Sequence, residues 1–421
     1  MQASDPTVSE PNLVAFAIPI FLGAVILEAL IARRRGDHYN FGTAISDLGC
    51  GTLFQGIEVL FKLLTLGAYV WLFEHARWID WAEGHWAPWV IAFVGVDLLF
   101  YWWHRASHVV NFLWAVHGVH HQSEDFNLAV ALRQPTFEPL TWFLFFAPLA
   151  FLGVSPLQYV LAYAINRFYQ FWIHTELVRR VGPFEWILNT PSHHRVHHGV
   201  NPQYLDKNYG AILIIWDRLF GTFEIEDEAV VYGTTVPLES YNPVWANFSI
   251  FARIGRLSRI ARRSRDKLWA PFAHPAWLPE GREPDPDAPK RLIDVGDHYE
   301  AGPKYRPEIP TATKIYVAAH FALAGIAMFG FLWFEARWSL PQLAAGAAVA
   351  AASTAAFAGL VERRPWALGF ELLRLVAMFG TVAWLGSVEL SAALAGAVAA
   401  VGAVVSFVIF WVYRARLRAP L

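Results

Sequence analysis

"FYWWHRASHVVNFLWAVHGVHH", residues 100–121, carries an apolar run straight into five histidines. In a helix, positions i, i+3 and i+4 share a face. His104 and His108 therefore aim two imidazoles at one point, and His117 aligns with both His120 and His121. The H-x-x-H-H pattern recurs as His194, His197 and His198 within "PSHHRVHH", residues 191–198. Eight histidines thus fall into groups of two, three and three. A ninth, His174, ends another apolar run, with Gln170 one helical turn before it.

Composition sets the solvent in which these rings must be held. The 421 residues are 56% hydrophobic and only 16% charged, with a mean hydropathy of +0.33. That is too apolar and charge-poor for an ordinary soluble domain and marks an integral membrane protein. A formal charge of −2 gives no basic excess and points away from nucleic acid as a partner. The single cysteine, Cys50, excludes an intrachain disulfide, a cysteine-rich zinc knuckle, an iron–sulfur cluster and a CxxCH haem site. Any bound metal is held by nitrogen and oxygen.

A spanning helix needs about 20 mostly apolar residues. Candidates fall at roughly 13–32, 48–73, 87–107, 137–154, 156–176, 313–334, 341–361, 366–387 and 391–412. The acidic opening "MQASDPTVSEPN" lacks the positive region of a secretory signal, so the first run reads as a retained span. The second carries Asp47, Gln55, Glu58 and Lys62, which must face protein or the interface. Basic clusters at 33–35, 179–180, 362–364 and 413–418 all fall on one side of nine alternating spans, as does "RIGRLSRIARRSRDK", residues 253–267. The positive-inside rule makes that side cytoplasmic. Spans three and five end there, so all nine histidines converge on one membrane face. The expected architecture is all-α and polytopic, with about nine transmembrane helices under a cytoplasmic histidine-rich cap. Four parts are expected: N-terminal membrane helices (1–90), a catalytic core (91–240), a cytoplasmic loop (241–312) and a C-terminal four-helix membrane region (313–421). The last is rich in Ala and Gly, which allow close packing in lipid.

A lone histidine in a span is usually a hydrogen-bonded core residue, and His38, His75, His85, His274, His298 and His320 read that way. Matched clusters are different, because burying many polar rings near lipid without a partner is costly. Eight or nine imidazoles exceed the four ligands of a typical zinc site, so two ions share them. Imidazole accommodates zinc, copper, iron or nickel, and spacing alone does not name the element. His193 adjoins the third cluster but breaks its spacing, which fits a supporting role rather than ligation. Other supporting candidates are Gln170, Glu124, Asp125 and Glu176 beside the ligands, then Asn127, Gln134, Glu138, Asp206 and Asn208. Trp102, Trp103, Phe143, Phe145, Phe146, Phe168 and Phe171 are candidates to line an apolar tunnel, although plain core is the commoner use of such residues. "WDRLFGTF", residues 216–223, reads as an amphipathic lid, with Trp216, Leu219 and Phe220 toward lipid and Arg218 and Lys207 near a headgroup.

The boxes HxxxH, HxxHH and HxxHH, together with "SEDFNLAVALRQ", "FWIHTE", "NTPSHHRVHHG" and "LIIWDRLFGTFEIEDEAVVYG", resemble the fatty acid hydroxylase superfamily, or sterol desaturase family, of membrane di-iron enzymes. The likeness is dense over roughly residues 95–240 and strongest to the branch that acts on ether lipids. It implies two iron ions held by His104, His108, His117, His120, His121, His194, His197 and His198, with His174 as an extra ligand, and O2 as co-substrate. It further implies hydroxylation of the ether-linked carbon of an alkylglycerol, with tetrahydrobiopterin as electron source. Members of the family carry an acid directly after the second histidine of the first box. Val109 stands there in this chain, which bears on cofactor or substrate choice. An external electron donor is an open partner. Competing readings are a sterol desaturase or a hydroxylase of another membrane lipid and, from a different class, a histidine-rich metal transporter.

Overall fold

The computed structural model of the chain describes residues 13–36, 39–283, 290–295 and 299–418. His38, His298 and the acidic opening segment lie outside the described residues. The regular secondary structure of the described chain is almost wholly helical. In order come α1 (Leu13–Arg34), α2 (Phe41–Ala76), α3 (Ala87–Val109), α4 (Asn111–His121), α5 (Leu128–Ala131), α6 (Glu138–Phe151), α7 (Pro156–Trp172), α8 (Pro191–His197), α9 (Ile215–Phe220), α10 (Pro243–Ile260) and α11 (Ser264–Trp269). A two-stranded antiparallel hairpin, β1 (Leu292–Asp294) and β2 (Tyr299–Ala301), precedes α12 (Thr311–Trp333), α13 (Leu340–Val361), α14 (Ala367–Glu389) and α15 (Ala392–Arg418).

All nine apolar runs are helices, but they differ in their fitness to cross a bilayer. Among the described residues, Phe41–Ala76, Thr311–Trp333, Leu340–Val361, Ala367–Val388 and Ala392–Arg414 are long and apolar enough. The chain is accordingly an integral membrane protein. α3 has the length but carries Asp97, His104, Arg105 and His108. α6 and α7 reach only 14 and 17 residues, below the about 20 a perpendicular span needs. Their break is made by Gly153 at φ +77°, where a side chain would collide with the Ile79 carbonyl, and by Ser155, whose capping box with Gln158 starts α7.

The chain divides into two compact units. One comprises residues 1–60, 240–244 and 306–421. Its apolar core gathers Val59, Leu332, Trp338, Leu343 and Leu385. Small residues do the packing that lipid cannot drive: a Cβ on Gly56 would stand 2.7 Å from that of Ala350, and one on Gly346 would strike the Phe331 ring.

The other unit, residues 61–239 and 245–305, holds the histidines. Asp97, fully buried in α3, organises it. Its carboxylate accepts hydrogen bonds from Asn166 Nδ2 of α7 at 2.9 Å, from the backbone N–H groups of Ile212 and Leu213 at 2.9 and 3.2 Å, and from Trp216 Nε1 at 2.8 Å. Asp217 closes the adjoining loop, accepting from Tyr209 N, Gly210 N and Thr222 Oγ1, each at 2.7 Å. Asn208, at φ +56°, bonds the His193 and Glu224 carbonyls through its side chain. Residues 207–224 are thereby a stapled loop rather than the amphipathic lid the sequence predicts. Trp216 turns inward to Asp97, Phe220 packs on Tyr101 and Trp102, and the Arg218 guanidinium stacks on Trp186 and Phe223. Leu219 is the apolar side chain of the three that stays strongly exposed.

Candidate metal centre

The nine histidines arrive from four places on one scaffold. His104 and His108 lie in the last two turns of α3, and His117, His120 and His121 occupy the last two turns of α4. Val110, in extended conformation, breaks the chain between these helices and folds α4 back. His174 follows the end of α7, and His194 and His197 sit in α8 with His198 as its cap. All nine are buried.

Distance sorts them into two groups whose ligand nitrogens lie within 4.8 Å of one another. One group is His104, His108, His117, His121 and His197, and the other is His120, His174, His194 and His198. The boxes do not map onto these groups one to one. In box two the i and i+4 residues, His117 and His121, join the first group while His120 crosses to the second. In box three the i and i+4 residues, His194 and His198, join the second while His197 crosses to the first. Each H-x-x-H-H motif therefore bridges both centres, which explains why three histidines rather than two are needed in it.

Backbone carbonyls fix the rings. Nδ1 of His104 faces the Tyr209 carbonyl at 2.8 Å, that of His120 the Arg133 carbonyl at 3.2 Å, that of His174 the Gln170 carbonyl at 2.7 Å and that of His197 the Lys207 carbonyl at 3.0 Å. A carbonyl accepts only, so each Nδ1 carries the proton and each Nε2 is left with a lone pair. The Nε2 atoms then crowd together: His104 to His117 at 2.9 Å, His121 to His117 at 3.2 Å, His174 to His120 at 3.1 Å, His194 to His174 at 2.8 Å and His198 to His194 at 3.2 Å. Between His174 and His120, whose Nδ1 atoms both face carbonyls, two lone pairs meet and cannot bond each other. Edges of about 3 Å are what nitrogen ligands at about 2.1 Å from a shared ion make when mutually perpendicular. Nε2 of His108 and of His197 are buried with no hydrogen-bond partner among the described residues, a cost that a bound cation removes. Burial, reinforced by neighbouring imidazoles, holds His117, His120, His121, His194 and His198 well below the usual histidine pKa, and burial pushes His197 down to about 4. Neutral imidazole is the form that binds metal. The donor set therefore fits metal ions.

The supporting residues divide less as the sequence predicts. Glu138, buried, places a carboxylate oxygen 3.6 Å from His117 Nδ1 and is held by Arg167 at 3.2 Å. Asp206 lies 3.8 Å from His108 Nδ1. Gln170 acts through its backbone carbonyl, since its side chain turns to Asn166 Oδ1 at 2.8 Å. His193 points away from the cage, with its ring against Phe223 and Nδ1 at Thr190. Glu124 accepts from the Tyr305 N–H, Asp125 pairs with Lys304, and Glu176 accepts from the Tyr232 hydroxyl. These three acids therefore tie down the segment around the cage. Of the aromatic tunnel candidates, Trp103 and Phe146 are fully buried core, Trp103 lying edge-on against His117.

Arg195, inside the third box, escaped the sequence reading. It is buried, forms a two-point pair with Glu226 at 2.7 and 2.6 Å, and donates to the carbonyls of Thr175, Val178 and Arg179. It thus locks α8 to the strand of chain after His174. Phe126 completes the wall, stacked between His174 and Tyr232.

Buried helix ends carrying histidines from an HxxxH and two HxxHH boxes define a class, and the comparison with known proteins agrees. The family model described as fatty acid hydroxylase matches residues 89–222, a span that contains all nine histidines. The chain is 36% identical over 329 residues to an alkylglycerol monooxygenase of Danio rerio, covering 76% of this chain and 72% of the relative. It is 40% identical over 273 residues to that of Homo sapiens (64% and 61%) and 36% over 316 residues to that of Xenopus tropicalis (74% and 69%). The chain belongs to the fatty acid hydroxylase family of membrane-bound oxidoreductases, among the relatives named alkylglycerol monooxygenase. No solved structure matches it significantly.

Proposed function

We propose that this chain is an O2-dependent alkylglycerol monooxygenase whose two histidine groups each hold one iron ion. The observation that carries the reading is the division of nine buried, neutral imidazoles into a set of five and a set of four, joined with the similarity to relatives named for that activity. When bound, the irons and an external donor of two electrons, tetrahydrobiopterin in this reading, supply the chemistry that side chains lack: cleaving O2, placing one oxygen atom in a C–H bond and releasing the other as water.

The chain's own residues do the rest. The carbonyls of Tyr209, Arg133, Gln170 and Lys207 keep each Nδ1 protonated and each Nε2 free for metal. Glu138 sets a carboxylate 3.6 Å from the second nitrogen of His117, and the buried wall of Phe126 and Trp103 keeps water from the reacting carbon. Hydroxylation at the carbon bonded to the ether oxygen yields a hemiacetal. Its C–O bond breaks as the hydroxyl proton passes to the leaving oxygen, giving a fatty aldehyde and a glycerol derivative. In this reading residues 91–240 are the catalytic core, the nine apolar helices lie in or at the bilayer, and the cage faces the cytoplasm, a placement supported by the basic clusters.

The test is anaerobic incubation of iron-loaded protein with an alkylglycerol, then addition of O2 with or without tetrahydrobiopterin. Aldehyde that forms only with the pterin supports the reading. A lipid hydroxylated but left intact, or no turnover with this substrate while a sterol is oxidised, moves the chain to the sterol desaturase or lipid hydroxylase alternative.

A further inference from the structure

We infer that the arm formed by α10 and α11 is an interfacial anchor that selects a bilayer leaflet carrying anionic phosphodiester headgroups. One face of α10 is graded along its length. Trp245 and Phe248, toward its N-terminal end, are exposed, and about two to four turns further on the same stripe presents Arg256 and Arg259 to solvent. Positions 245, 248, 252, 256 and 259 follow the i, i+3, i+4 rule, so they form a single edge. From Trp245 to Arg259 that edge is about 21 Å long, enough to run from the hydrocarbon boundary out through the headgroups. The opposite face of α10 is buried: Ile254 and Leu257 pack with Ala115 and Ala270.

After it, α11 sets the same kinds of residue side by side instead of in series. Leu268 is 75% and Phe272 62% exposed, both with Trp269 beside Lys267. Large apolar side chains standing out next to cations are the pattern of a helix lying in the interface plane.

The charges define the partner. Residues 253–267 hold six arginines and one lysine against one acid, Asp266. Arg263 pairs with Glu280, and Arg265 lies near Glu280 and Asp266. Arg256, Arg259, Arg262 and Lys267 meet no carboxylate among the described residues. Four unpaired cations above an exposed apolar rim are complementary to anionic lipid, which adds a favourable electrostatic contribution for each residue. The arm also reaches the cage's supporting helix. Gln122 Nε2 donates to Ser249 Oγ at 3.2 Å, the N–H groups of Asn111 and Phe112 donate to the Ala273 and Pro271 carbonyls at 2.8 and 2.7 Å, and a Cβ on Gly118 would stand 2.7 Å from Ile250 Cδ1. Docking of the arm on anionic lipid therefore bears on the helix that carries His117, His120 and His121. The inference rests on the membrane character of the chain and not on its substrate.

The experiment places the full-length protein in phosphatidylcholine bilayers with about 20 mol% phosphatidylglycerol and measures, with spin-labelled lipids, association of phosphatidylglycerol relative to phosphatidylcholine. Wild type is expected to prefer the anionic lipid about threefold, with the preference shrinking as salt rises from about 0.05 to about 0.5 M. The variant Arg256→Gln/Arg259→Gln/Arg262→Gln/Lys267→Gln should lose most of it, and Arg256→Lys/Arg259→Lys/Arg262→Lys should keep it. No preference in wild type, or an undiminished one in the glutamine variant, overturns the inference. Should the glutamine variant fail to fold, a salt-independent preference in wild type overturns it equally. Aldehyde assays play no part in this readout, so failure here and failure of the ether-lipid reading are separable.

Discussion

His120 shows at single-residue scale how much the cage asks of each ring. Its Nδ1 is occupied by the Arg133 carbonyl and its Nε2 meets that of His174 at 3.1 Å, so both its nitrogens are engaged. His120→Ala is expected to abolish turnover, at least about 100-fold, and to lower bound iron; full activity in that variant would refute its place in the second group. Glu138 is predicted to be a positioning residue. Glu138→Gln keeps the shape but removes the charge facing His117 and Arg167, and turnover should fall about 10-fold with iron still bound, accompanied by a shift in the iron absorption spectrum. An unchanged spectrum with unchanged turnover would show that the carboxylate only neutralises Arg167. The residue scale was also where the sequence was most legible: helical spacing alone collects the eight box histidines, and His174 stood out by ending an apolar run. The carbonyl partners were not legible, because a backbone oxygen has no signature in the sequence. Nor was the assignment of His120 and His197 to the opposite group from their box partners, which depends on where α4 and α8 cross.

At the scale of elements, the histidine helices are short and borrow their stability from loops. α8 has seven residues and begins at Pro191, too short to persist unaided; Arg195 fastens it by five hydrogen bonds. Loop 207–224 is held in the same manner by Asp217. Asp217→Ala leaves the Tyr209 and Gly210 N–H groups and the Thr222 hydroxyl without their acceptor and should destabilise the unit by about 2–4 kcal/mol. Because the Tyr209 and Lys207 carbonyls orient His104 and His197, iron affinity should drop with stability, as measured by thermal unfolding and metal titration in parallel. Retention of both would mean the loop holds itself. The sequence pointed to a lid here because Trp216, Leu219 and Phe220 share a helical face. It could not reveal that Asp97, more than a hundred residues earlier, draws Trp216 inward. The apolar runs of the membrane helices were readable because composition over about 20 residues decides them, and Pro139, Pro148 and Pro156 marked the fourth and fifth as a hairpin that only dips into the bilayer, whereas the turn at Gly153 is averaged away by a hydropathy window.

At the scale of the whole molecule, the histidine cage makes metal and proton competitors for the same nitrogens. In the metal-free protein, His117, His120, His121, His194 and His198 titrate well below their unfolded value of about 6.5, and His197 at about 4. Folded pKa values below unfolded ones mean that the unfolded chain binds more protons as pH falls. Stability is therefore full above about pH 6.5 and is lost as pH drops from there toward 4. The melting temperature of the apoprotein should be lower at pH 5 than at pH 7.5; an equal or higher value would contradict the buried, neutral state of the rings. Small residues at Gly56 and Gly346 serve the other compact unit, whose tight apolar packing the Ala- and Gly-rich sequence foretold. Two ions in two histidine groups are the centre of the proposed chemistry. Anaerobic titration of the purified apoprotein with ferrous iron, read by metal analysis and Mössbauer spectroscopy, tests this directly. Saturation at two nitrogen-ligated irons per chain, with one lost when His174 and His198 are both replaced by alanine, is the predicted result. Saturation at a single iron, or two irons retained in that double variant, would contradict it.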